Sequence, residues 1–338
     1  MKTLIAQEVH RQLMEDTVPS MSYRGGDFSA WQAEARAKLG QLLGMQHLQK
    51  VKPDLRIERV EELEDHTEIR FLFASEAYAD VVCELWIPKT GREPYPLVIC
   101  LQGHSTGMHI SLGRPRFPGD EETIAGGDRD FARQIIREGY ASLAIEQRCF
   151  GERGGKPEGP DCHQSTMSAL LLGRTTIGER VWDVSRAIDV VESSFPQIDA
   201  GRIACMGNSG GGTVTYYAAC MEQRISIAMP SCAVCSYRHS IENIRHCVCN
   251  YIPGILPFFE MGDLSGLIAP RPLVIVAGAK DPSFRLEGVR EVLETAKPLY
   301  AAAGAPDKVV LVEGPEGHRF YADLSWPVFR RLSGWGKD

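Results

Sequence analysis

The sequence predicts an α/β fold: a mostly parallel central sheet flanked by helices, preceded by an N-terminal helical extension. Three observations predict it. Short, continuously apolar runs recur at 97–101, 140–145, 202–206, 225–229 and 273–277, the texture of strands buried on both faces. Segments with helical spacing separate them, as in a chain of strand–helix–strand crossovers. A glycine-flanked serine, Gly207-Asn208-Ser209-Gly210-Gly211, sits where one such run turns into a helix.

The elements follow in order. Residues 1–50 look helical, with Trp31, Ala35, Leu39, Leu42 and Leu43 at helical spacing within 30–43, and Pro53 closes the region. We read 1–52 as an extension packed on the main domain and 53–338 as the catalytic domain. Runs at 56–60, 67–74 and 81–88 alternate in polarity and predict an antiparallel start. A strand at 97–101 leads into a Gly- and Pro-rich loop, 103–127, and a helix near 130–138. The strand at 140–145 precedes a second long loop, 148–160, and a helix over 176–193. The elbow strand, its helix from 213 to 221 and the strand at 225–229 come next. Residues 231–267 interrupt the pattern. It resumes as strand 273–277, helix 286–302, strand 308–313 and a last helix from about 321.

With 338 residues, 43% hydrophobic and 24% charged, the chain is long enough for a large core and too apolar for global disorder. The net charge of −7 and the lack of a basic run give no support for a nucleic-acid or anionic-membrane partner. Glu8, His10 and Arg11 break any signal-peptide core near the start, and no segment has the roughly 20 apolar residues of a membrane span. The expected location is the cytoplasm, where ten cysteines are expected as thiols. Cys83, Cys100 and Cys205 lie within apolar runs and act as small hydrophobes. Oligomeric state is open.

Strand, sharp turn and helix are the setting of a nucleophile elbow, in which Ser209 is presented on a strained turn. A serine hydroxyl needs a base, and the base needs an orienting group. The expected chain order is serine, acid, histidine. Among His239, His246 and His318, only His318 follows the final predicted strand, so it is the candidate base. Asp281 closes the strand at 273–277 and is the candidate acid, with Asp263 and Glu313 as rivals. The oxyanion of an acyl-transfer intermediate needs N–H donors. The Gly210 N–H follows the nucleophile, and the His104 N–H in Gln102-Gly103-His104 is the second candidate.

With these pieces in view, the chain resembles the α/β-hydrolase superfamily over about 55–335, and within it the acetyl xylan esterase and dienelactone-hydrolase-like branch. The resemblance rests on Gln102-Gly103-His104, on 146–152 (EQRCFGE), on 180–187 (RVWDVSRA), on the serine elbow and on Gly317-His318-Arg319-Phe320. It implies an α/β-hydrolase fold and a Ser209, Asp281, His318 triad acting on a small-molecule ester without a cofactor. Dienelactone hydrolases proper carry cysteine at the nucleophile position, whereas this chain has serine. Exported acetyl xylan esterases carry a signal not seen here, so an acetylated oligosaccharide already inside the cell is the expected type of substrate.

Two alternatives remain. A prolyl-oligopeptidase-like peptidase would share the fold, but 338 residues leave no room for a propeller and no blade-length repeat is present. A non-catalytic binding protein could retain the fold. Arg148, at a strand end, either steers an anionic substrate group or fixes its loop. Arg180, Asp183 and Arg186 at i, i+3 and i+6 read as an ion-pair network docking their helix. Cys232, Cys235, His239, His246, Cys247 and Cys249 cluster in sequence, but Cys-x-x-Cys with Cys-x-Cys is not a standard zinc spacing. We read them as small residues packed beside the pocket, with no metal.

Overall fold

The computed structural model describes residues 3–156 and 158–335. Two helices open the chain, α1 (Ala6–Asp16) and α2 (Phe28–Leu42). Asp27 caps α2 by accepting the Ala30 N–H at 3.0 Å. Its inner face docks through Ala35 and Leu39, and Arg36 donates to the carbonyls of Cys220 and Leu267 at 2.9 and 2.8 Å. α1 has no buried residue. Only the second helix of the extension therefore shares the main core.

An antiparallel meander follows: β1 (Arg56–Glu62), β2 (His66–Glu76) and β3 (Ala79–Pro88). β1 is exposed along its length and charged at Arg56, Glu58, Arg59, Glu61 and Glu62, which protects it as a sheet edge. The chain continues through β4 (Tyr95–Leu101), α3 (Asp120–Gly127), α4 (Phe131–Arg137), β5 (Ala141–Ile145), α5 (Cys162–Leu171) and α6 (Thr176–Ser194). Then come β6 (Ile198–Asn208), α7 (Gly210–Met221), β7 (Ile225–Ser231), α8 (Met261–Ile268), β8 (Leu273–Gly278), α9 (Leu286–Ala302), β9 (Val309–Gly314) and α10 (Ala322–Ser333).

Among the described residues the nine strands form one sheet in the order β1-β2-β3-β5-β4-β6-β7-β8-β9, parallel from β5 to β9. Side chains alternate between its two faces. Leu97, Ile99, Leu101, Ile203 and Cys205 join α2, α6, α7, α8 and α9 in one core. Val98, Cys100, Ala204 and Met206 join α4 and α10 in the other. Burying such a side chain contributes roughly 1.5–3 kcal/mol, so continuous apolar strands flanked by amphipathic helices favour this three-layer arrangement.

The predicted strands and long helices are present. α3 and α8 fall in stretches read as loop or irregular chain, and α5 in a stretch given no element. They have only 8–10 residues and little apolar periodicity, and only α8 has a side-chain cap. α8 starts on a reciprocal cap between Glu260 and Asp263, which gives the rival acid Asp263 a structural role.

Candidate active site

β4 is flanked by β5 on one side and β6 on the other, so the loops leaving β4 and β6 diverge at a switch in strand order. Clefts form at such switch points, beyond the C-terminal ends of the strands. Ser209 lies at this point between β6 and α7, with φ 55° and ψ −121°, a strained conformation for a residue with a Cβ. Its N–H donates to the Ser231 carbonyl at 2.8 Å, and its carbonyl accepts the Thr213 N–H at 2.8 Å as α7 begins. The neighbouring glycines are required by contact. A Cβ on Gly207 would lie 2.7 Å from the Leu101 carbonyl oxygen, and one on Gly211 only 2.1 Å from it.

The loop after β4 presses against this turn. A Cβ on Gly103 would stand 3.0 Å from the Ser209 Cβ, and one on Gly210 would stand 2.8 Å from His104 Nδ1. Gly210 and His104 are thus neighbours at the nucleophile candidate. Glu146, at the end of β5, fastens the same loop: its Oε1 accepts from Gln102 Nε2 at 2.7 Å and from the Met108 N–H at 3.0 Å. Burial pushes the Glu146 carboxyl up to about 7 despite these donors.

Asp281 and His318 come together from the ends of β8 and β9. His318 Nδ1 lies 2.7 Å from Asp281 Oδ2, while Asp281 Oδ1 accepts the Ser283 N–H at 2.8 Å and the Phe284 N–H at 3.2 Å. Burial opposes the charge on Asp281, but the His318 bond and the two N–H groups outweigh it and hold the carboxyl below its usual range. An ionised Asp281 makes Nδ1 the protonated ring nitrogen, leaving Nε2 as the acceptor. Phe284 stacks on His318 with ring centres 5.9 Å apart. The two loops are joined by backbone bonds from Ala279 N–H to Gly314 O and from Lys280 N–H to Glu316 O, both 2.8 Å.

The remaining candidates take other partners. Glu313 pairs with Arg290 on the surface. His239 bonds Ser236 and Glu291, and His246 meets Asn250 and Phe284. Arg148 is held by Glu76, Glu179 and Asp183, the loop-fixing geometry of its two readings. Asp183 also takes Arg153. Arg186 and Arg180 do not close a network with Asp183: Arg186 bonds Asp189 and the Val51 carbonyl, and Arg180 bonds the Arg148 carbonyl. The cysteine segment is split. Cys232 and Cys235 turn toward the carbonyls of Arg319 and Arg285, while Cys247 and Cys249 turn toward His104 and Cys162. For the His104 imidazole, burial favours the neutral form, but hydrogen bonds with Cys247 and Cys249 outweigh it and raise it to about 9.

Sequence reasoning assigned no role to Glu146, Phe284 or Cys162. Glu146 had a visible signal, since a carboxylate closing an apolar strand is costly to bury without partners.

Residues 139–251 match the acetyl xylan esterase (AXE1) family. Fold and match together define a carboxylic ester hydrolase of the α/β-hydrolase superfamily. The chain is similar to YtaP of Bacillus subtilis (strain 168), a proposed hydrolase, with 28% identity over 311 residues that cover 90% of this chain and 99% of that protein. In structure it resembles a proposed acetyl xylan esterase from Bacteroides fragilis (TM-score 0.81, 19% identity, 98% of this chain and 96% of the other). A glucuronoyl esterase from Solibacter usitatus gives a TM-score of 0.70 at 16% identity, covering 95% of this chain and 98% of that one.

Proposed function

We propose that the protein is a serine esterase that removes small acyl groups, acetyl above all, from sugar esters. The observation that carries this reading is the position of Ser209, on its strained turn at the strand-order switch, on the same edge of the sheet as the Asp281–His318 pair. Ser209 attacks the ester carbonyl, and His318 takes the hydroxyl proton on Nε2. Asp281 orients the ring and stabilises its charged form. The N–H groups of Gly210 and His104 receive the oxyanion. His318 returns the proton to the leaving alcohol, and water then releases the acid by the same route. Similarity to acetyl xylan and glucuronoyl esterases supports a carbohydrate ester as substrate.

The test is hydrolysis of p-nitrophenyl esters of rising acyl length, wild type beside Ser209→Ala, followed by acetylated xylo-oligosaccharides and glucuronoyl methyl esters. The proposal predicts serine-dependent turnover that falls with acyl length, together with acetate release from the oligosaccharide. Faster cleavage of an amide than of the ester with the same acyl group would favour the peptidase reading. Undiminished ester turnover in Ser209→Ala would overturn the mechanism.

A further inference from the structure

Four ligand-type side chains from three separate segments meet behind the β4 loop. His104 comes from that loop, Cys162 is the first residue of α5, and Cys247 and Cys249 come from the segment between β7 and α8. Their ligand atoms all lie within 4.8 Å of one another. His104 Nε2 is 3.1 Å from Cys249 Sγ, and Cys249 Sγ is 3.4 Å from Cys247 Sγ. A tetrahedral zinc with bonds of about 2.3 Å to sulfur and about 2.0 Å to nitrogen sets ligand–ligand edges of roughly 3.5–3.8 Å. The observed separations are close to those edges and far longer than the roughly 2.05 Å of a disulfide.

We propose that His104, Cys162, Cys247 and Cys249 form a closed, four-coordinate Cys₃His zinc site that staples these three segments together beside the nucleophile.

Charge balance supports it. Arg180 is 1% exposed, and among the described residues it makes no ion pair with a carboxylate. Its guanidinium instead approaches Cys249 Sγ at 3.5 Å and Cys162 Sγ at 3.7 Å and lies over the Phe150 ring at 4.3 Å. Zinc with three thiolates and a neutral imidazole carries one negative charge, and Arg180 neutralises it. Binding leaves three thiolates and a neutral imidazole, and the protons that the thiols and the imidazole give up pass to solvent; no electrons move.

The other potential ligand groups lack these features. Asp281 and His318 pair with each other in the candidate active site, and Cys232 beside them would make only a third ligand. His239, Glu287 and Glu291 include an exposed glutamate, and Arg238 already pairs with Glu291. With all four positions filled by protein, zinc here is structural, holding the loop that carries Gly103 and His104 against Ser209.

The test is elemental analysis of the full chain purified under reducing conditions without chelator. About one zinc per chain is expected. After exchange, cobalt(II) should give the thiolate charge-transfer bands and intense visible bands of a tetrahedral sulfur-rich site. Cys162→Ser and Cys249→Ser should lower zinc content to background, and Cys235→Ser, from the neighbouring segment, should retain it. The wild-type zinc content and cobalt spectrum judge the proposal even where a variant fails to fold. Wild-type protein that contains no metal and takes up neither zinc nor cobalt overturns it, as does full zinc content in a folded Cys249→Ser.

Discussion

At the scale of single residues, Ser209 and Glu146 make separable predictions. Ser209→Ala removes one oxygen from a strained turn whose backbone bonds to Ser231 and Thr213 do not involve that atom. Esterase activity should fall by at least about 10³-fold while the unfolding midpoint stays within a few degrees. Glu146 predicts a pH dependence of stability. Its carboxyl titrates near 7 in the fold but near its ordinary value of about 4.3 when unfolded. Between those values the unfolded chain releases a proton that the folded chain keeps, so the group's contribution is complete below about 4.3 and lost as pH rises through about 7. Chemical denaturation of wild type and Glu146→Gln across this range isolates the effect. Wild type should lose on the order of 3 kcal/mol relative to the variant, and a pH-independent difference would reject the assignment.

Among elements, the loops after β8 and β9 act as a unit. A Cβ on Gly278 would stand 1.9 Å from the Gly317 carbonyl oxygen, so this position must be glycine for the His318 loop to reach Asp281. Gly278→Ala should destabilise the fold by about 2 kcal/mol or more and lower kcat more than KM, measured by thermal melts and short-acyl ester kinetics. Much of this scale was legible in the sequence. Ser209, Asp281 and His318 were each read from a turn or loop that follows an apolar run, with the order serine, acid, histidine expected of the architecture, and Asp281 and His318 do meet there. Cys162 was not legible, because its partners lie 58, 85 and 87 residues away in a sequence whose local spacing matches no zinc motif. Arg180 and Asp183 were paired by helical spacing, yet each finds its partner outside the helix, since tertiary packing decides which buried charge meets which.

For the whole molecule, the apolar runs carried the parallel sheet and the alternating runs carried the antiparallel start, because burial on two faces or one leaves different patterns. The short helices α3, α5 and α8 escaped notice for want of periodicity. The extension was legible as helix, but not the difference between its two parts. Leu4, Ile5, Val9 and Leu13 are exposed around α1, whereas α2 buries Ala35 and Leu39 and ties its Gln32 and Arg36 to main-chain carbonyls. Removing residues 1–18 should change unfolding free energy by less than about 1 kcal/mol, and removing 1–44 should cost more than about 3 kcal/mol, as read by urea denaturation. Equal effects would show that α1 contributes to the core after all.

The most direct test of the central claim is reaction of the folded protein with a fluorophosphonate, with the adduct located by peptide mass spectrometry and residual ester turnover followed in parallel. The account predicts a single adduct on Ser209, with turnover lost in proportion to labelling. No adduct, or an adduct at another residue while Ser209→Ala keeps its turnover, would contradict it.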